Sequence, residues 1–250
     1  MSGLAQKLAG TRQLLDPILG ASKRLGACAL GHAGADAALR GGIARGALHE
    51  VFAGDAGAAG FALGLAQRVR AKKKLLWIRQ DFSALEFGEL SATGLLEFGI
   101  DPARLLLLCV GDAAEALRAA NDALPCAALG AVVIEIPGEP KILNLMASRR
   151  LTLACAQKNV TAFLLRFNAE PEASTAETRW LVRAGVSLPQ VENWGHPVFE
   201  AGLVRNRHGR TGKWVMEWSC DEGLFKEADR GAVVSASSNR PAAAARQAAI

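Results

Sequence analysis

The stretch 46–65 reads GALHEVFAGDAGAAGFALGL. A short apolar run, a loop of glycine and alanine and an apolar helix start follow one another, the outline of a phosphate-binding loop between a strand and a helix. A working loop of this kind has the form G-x-x-x-x-G-K-[ST]: backbone N–H groups cradle the phosphates, the lysine neutralises their charge and the hydroxyl holds Mg²⁺. Counted from Ala53, the last three positions are Ala58, Ala59 and Gly60; counted from Gly54, they are Ala59, Gly60 and Phe61. Neither register supplies a lysine or a hydroxyl. The nearest downstream lysine, Lys72, lies about 18 Å along a helix and cannot reach back. Gly54, Gly57 and Gly60 can still make the turn through backbone conformations that other residues resist. Small alanines can close the space a nucleotide would fill.

Working outward, the run 47–52 is a strand and the spacing of Phe61, Ala62, Leu65 and Val69 predicts a helix after the loop. LLWIRQD (75–81) is a second buried strand, 83–100 a helix with a turn, and RLLLLCV (104–110) a third, continuously apolar strand. Asp112 with Glu115 forms a capping box that opens a helix whose Leu117, Ala120 and Leu124 share a face. AVVIEI (131–136) is a fourth strand; Ile142, Leu145, Met146 and Leu153 fall on one side of a helix over 140–158; VTAFLLRF (160–167) is a fifth strand. Near-continuous apolar strands alternating with helices predict a mostly parallel sheet covered on both faces. After the polar loop 168–175, the runs RWLVRAGVS, PVFEAGLVRN and KWVMEWS read as a C-terminal antiparallel β meander; in the last, Trp214, Met216 and Trp218 alternate with Val215 and Glu217, so one face is buried. The expected organisation is an N-terminal helix and connector over 1–45, an α/β domain over 46–228 and a disordered Ala/Ser-rich tail over 229–250.

Half of the 250 residues are hydrophobic, enough for a substantial core. The net charge of +5 permits an acidic partner such as nucleic acid without demanding one. Five scattered cysteines, mostly in apolar runs, read as reduced core residues of a cytoplasmic protein. No apolar run approaches a membrane span, and no Cys or His pair has metal-ligand spacing, so neither membrane nor metal is expected. His49 on its strand reads as a satisfied core histidine, whereas Trp194 is the one tryptophan placed on a loop. The turn RNRHGRTGK (205–213) carries Arg205, Arg207, Arg210 and Lys213 with no acid. It is the candidate nucleic-acid contact, because clustered cations on a hairpin neutralise phosphates; the alternative is a solvated tip.

The order of these parts resembles the RecA recombinase core, a P-loop-NTPase-type fold. Within it, GGIARGALHEVF, FGIDPARLLLLCVGDAAEALRAANDAL, GAVVIEIPG, TAETRWLVRAG and LVRNRHGRTGKWVMEW look most like the ImuA-type proteins, RecA-like accessory factors of damage-induced mutagenesis in bacteria. The resemblance spans residues 40 to 222. It implies a vestigial nucleotide site at Gly54, Gly57, Ala58, Ala59, Gly60, Asp81 and Glu135. Asp81 lies near the place of the acid that activates water in RecA, and Glu135 near that of the acid that orients Mg²⁺. Without the lysine, each reads instead as an ordinary acid: Asp81 exposed or capping a helix, Glu135 bonded to a backbone N–H or a basic neighbour. Neither ATP nor Mg²⁺ is expected as a cofactor, and no catalytic residue is expected. The resemblance further implies a factor in SOS-induced translesion DNA synthesis. Its partners would be a Y-family-like polymerase adaptor subunit and an error-prone replicative-type polymerase, with RecA and DNA as further candidates. Two alternatives stay open: an ATP-binding switch or ATPase with an atypical loop, and a SulA-like cell-division inhibitor.

Overall fold

Parallel strands are buried on both faces, so long apolar runs settle where helices can cover them. The computed structural model describes residues 26–188 and 195–228; the expected N-terminal helix, Trp194 and the tail lie outside these. In chain order the elements are β1 (Ala27–Cys28), α1 (Ala33–Ala38), β2 (Ile43–Ala44), β3 (Leu48–Ala53), α2 (Ala58–Val69), β4 (Lys74–Gln80), α3 (Ser83–Phe87) and α4 (Ala92–Glu97). They continue with β5 (Leu105–Val110), α5 (Ala113–Ala123), β6 (Leu129–Glu135), α6 (Leu145–Lys158), β7 (Thr161–Phe167), β8 (Thr178–Ala184), β9 (Val198–Asn206), β10 (Gly212–Ser219) and β11 (Leu224–Glu227).

The main sheet has nine strands in the order β11-β10-β9-β8-β3-β7-β6-β4-β5. From β8 to β5 every pair is parallel; β8 to β11 pair antiparallel, which forms the C-terminal meander. One face packs Val51, Trp77, Val133, Phe163 and Trp180 against Phe61, Leu65 and Val69 of α2. The other packs Leu48, Ile78, Val132 and Leu164 against Leu117 and Ala120 of α5 and Leu151 and Cys155 of α6. Helix α2 lies unusually close to its aromatic neighbours. A Cβ on Gly64 would stand 2.6 Å from the Phe225 ring, and one on Gly60 would stand 2.9 Å from Phe98, so both positions need the smallest residue.

The connector before residue 46 holds the short helix α1 and packs onto the domain, with Leu30 and Ile43 fully buried in the α2-side core. Two sequence expectations are corrected. RLLLLCV is not covered on both faces: the strand order puts β5 at the edge, paired with β4 alone, and Leu106, Leu107 and Leu108 are 43, 46 and 39 % exposed. The cysteines are free, but of the five only Cys155 is fully buried, its thiol pushed up to about 12 by desolvation. No helix of the described residues is long and apolar enough to cross a membrane.

His49 is fully buried on β3. Its Nε2–H donates to the Ala44 carbonyl at 2.8 Å, which leaves Nδ1 to accept from the Thr178 hydroxyl at 2.7 Å; Trp180 Nε1 donates to the same hydroxyl at 3.1 Å. This network fits the neutral ring, and burial lowers the pKa from 6.5 to about 4. The unfolded chain therefore binds one more proton than the folded one between those values. Stability from this site is complete above pH 6.5 and is lost as pH falls toward 4, by about 3 kcal/mol in all. Urea unfolding from pH 7.5 down to pH 4 should show that decline, and His49→Gln should flatten it.

Candidate functional site

The loop between β3 and α2 has the length of a phosphate-binding loop, and four of the N–H donors there are used by the chain itself. Gly54 N–H donates to Val182 O at 2.8 Å, Ala58 to Asp55 O at 3.2 Å, Ala59 to Ala56 O at 3.2 Å and Gly60 to Gly57 O at 3.0 Å. The Asp55 side chain occupies the start of the helix. Its Oδ1 accepts from Ala58 N–H at 3.1 Å, and its Oδ2 accepts from Ala184 N–H, at the end of β8, at 2.9 Å. A helix N-terminus carries roughly half a positive charge and favours an anion there. Here the anion is a carboxylate of the protein. A phosphate brought to about 4 Å from it would meet a repulsion of about 4 kcal/mol at an effective dielectric near 20, with no lysine to offset it. The loop glycines serve by size rather than by left-handed backbone: Gly57 sits at φ −62°. A Cβ there would crowd Ala184 at 3.1 Å and Asp55 Oδ1 at 3.2 Å.

Glu135 ends β6, two strands from β3 across β7. It is 2 % exposed and bonded through both oxygens: Trp77 Nε1 donates to Oε2 at 2.9 Å, and Arg79 Nη2 reaches Oε1 at 3.3 Å. The same Nη2 donates to Gly88 O at 3.0 Å. Asp81 follows β4 with its side chain exposed and its N–H bonded to Val110 O at 2.9 Å. Loop, Asp81 and Glu135 thus share the carboxyl end of the parallel sheet. A magnesium nucleotide does not fit what stands there: the lysine and hydroxyl positions are Ala59 and Gly60, a carboxylate holds the anion position, and Glu135 is spent on Arg79 and Trp77. No group of three or more His, Cys, Asp or Glu among the described residues is placed to hold a metal ion.

Beside the loop, β8, β9 and β10 turn a face to solvent that neither α5 nor α6 covers. An open cavity of about 600 Å³ lies there, lined by Phe52, Gly54, Leu181, Val204, Lys213 and Val215. The buried pair Glu50–Arg179 (2.7 Å) adjoins it, and the guanidinium carbons of Arg166 and Arg179 each stand 5.6 Å from the Phe52 ring. Burial lowers the Arg166 pKa, with Glu50 opposing.

The basic hairpin lies at the other end of the sheet, where β9 leaves the start of β8. Its four cations do not form one cluster. Arg205 Nη1 is tied to Ser174 O at 2.8 Å and Arg207 Nη1 to Thr175 O at 3.3 Å; Arg210 is exposed at the tip, and Lys213 faces the open cavity from β10. Burial and the neighbouring Arg179 lower the Arg205 pKa. Asp55 and Arg79 were not among the sequence-predicted site residues. Asp55 has a readable signal, an acid three residues ahead of a helix start, whereas the pairing of Arg79 with Glu135 depends on the strand order.

The six-strand parallel array, the loop after β3, the acid ending β6 and the antiparallel extension define a RecA-like recombinase fold. The solved RadB recombinase superposes on 80 % of this chain and 99 % of its own with a TM-score of 0.56, at 18 % sequence identity. By sequence the chain is similar to protein ImuA of Caulobacter vibrioides, 31 % identical over 141 residues, in both the NA1000 / CB15N and the CB 15 strain proteins. That match takes in 52 % of this chain, which spans about half, 56 %, of the length of those relatives. No family model matches the chain.

Asp55→Asn keeps the size of the side chain and removes its charge. It should lower stability by about 0.3–1 kcal/mol, the worth of a negative charge at a helix N-terminus, read as a shift of the urea midpoint. An unchanged midpoint would mean that the carboxylate does not hold the loop.

Proposed function

We propose that this protein is a non-catalytic RecA-like accessory factor of damage-induced translesion synthesis and mutagenesis, working by binding rather than by hydrolysis. The observation that carries the non-catalytic part is the Asp55 carboxylate at the α2 N-terminus in a loop without lysine or hydroxyl. The assignment to mutagenesis is supported by the sequence kinship with ImuA. The partners it would bring together are a Y-family-like polymerase adaptor subunit and an error-prone replicative-type polymerase, with RecA as a further neighbour, in the cytoplasm. Deleting its gene in the host should lower the frequency of damage-induced mutations several-fold, and the intact chain should restore it. An unchanged frequency would overturn the assignment. Filamentation on overexpression, with mutagenesis unaffected, would point to a cell-division inhibitor instead.

DNA contact is proposed for the β9–β10 hairpin. Arg210 and Arg207 stand at its exposed tip, with Arg205 and Lys213 behind them. Replacing the four by Ala should weaken binding to a DNA oligonucleotide and reduce the slope of log affinity against log salt by about 0.7 to 0.9 for each phosphate no longer neutralised. An unchanged affinity and slope would leave the hairpin a solvated turn.

A further inference from the structure

Helix α6 is apolar on both sides. Its inner side buries Ser148, Leu151, Ala154 and Cys155. The residues whose spacing predicts a core face lie outside instead: Ile142, just ahead of the helix, is 48 % exposed, Leu145 51 %, Met146 59 % and Leu153 59 %. Leu145, Arg149 and Leu153 stand at i, i+4 and i+8, and Met146, Arg150 and Leu153 at i, i+4 and i+7, so these residues form one stripe along the helix. The segment from Lys141 to Lys158 holds four cations, Lys141, Arg149, Arg150 and Lys158, and no acid. All four are exposed, and none has a carboxylate within 4.0 Å among the described residues.

We infer that the outer face of α6 is a docking surface for an amphipathic helix of a partner protein, with apolar residues on its contact face and carboxylates along its flanks. The exposed Leu and Met side chains reward an apolar contact, which bare phosphates do not offer. Arg149 sits within the stripe, between Leu145 and Leu153, and Arg150 at its edge beside Met146. A lipid surface would have to draw the Arg149 guanidinium toward its acyl region, whereas a protein helix can meet both with Glu or Asp. A second copy of this chain would set four cations against the same four. Charge therefore selects an acidic partner and opposes self-association. The stripe uses none of the residues of the loop or of the basic hairpin, so its test stands independently of the proposed mutagenesis role.

The intact chain is titrated by fluorescence anisotropy with a labelled helical peptide of about 20 residues bearing Leu on one face and Glu on its flanks. A version with Lys in place of Glu, phosphatidylglycerol vesicles and a DNA duplex are titrated in parallel. The Glu peptide should bind saturably and more weakly at high salt, with the Lys peptide on the order of ten-fold weaker. Met146→Glu with Leu153→Glu should abolish binding at an unchanged melting temperature, and Arg149→Glu with Arg150→Glu should reverse the preference between the peptides. Equal binding of the two peptides, no binding of either, or vesicle or DNA binding that these substitutions remove, would each overturn the inference.

Discussion

The Asp55 carboxylate joins three parts of the fold that a nucleotide would otherwise help to organise. It stands in the loop after β3, caps the first turn of α2 and holds the last residue of β8. Four donors of the loop and the first turn, the N–H groups of Gly54, Ala58, Ala59 and Gly60, are satisfied inside the chain, that of Ala58 by the carboxylate as well. The strand-to-helix turn is closed by bonds within the chain, and Gly57 and Gly60 act there through their size. Helix α2 then sits close enough to Phe98, Phe225 and Trp218 for its own glycines to be required.

The second acid of the frame follows the same logic. Glu135 is buried, and a buried carboxylate needs a partner: Trp77 and Arg79 supply it. A buried pair of this kind costs desolvation on both sides and is weak evidence of added stability, but removing one member leaves an uncompensated charge. Where a RecA-like enzyme would keep an acid available for a metal, this chain fixes it against its own guanidinium. The loop and the acid together support the proposed role as a scaffold that works through its surfaces. Two of those surfaces are unlike each other: the basic hairpin offers cations at a sheet end, and α6 offers cations threaded through an apolar stripe.

Much of the sheet was legible in the sequence, because β4, β6 and β7 are apolar runs bounded by turn residues and the capping box at Asp112 does bond Glu115 N–H at 2.8 Å. What escaped depends on the order of strands in space. RLLLLCV reads like a central strand, and only its place at the edge beside β4 leaves its leucines exposed. The stripe on α6 shows the same limit: spacing identifies an apolar face, but Leu151 and Cys155 on the other side compete for the sheet and win it. In the site, the missing lysine was legible directly. The Arg79–Glu135 pair was not, since it joins residues far apart in sequence on adjacent strands.

Calorimetric titration of the intact chain with ATP in the presence of Mg²⁺ tests the central claim most directly, that the carboxylate of Asp55 stands in the phosphate's place. The account predicts no saturable heat at millimolar nucleotide. Micromolar, Mg²⁺-dependent binding that Glu135→Gln removes would contradict it.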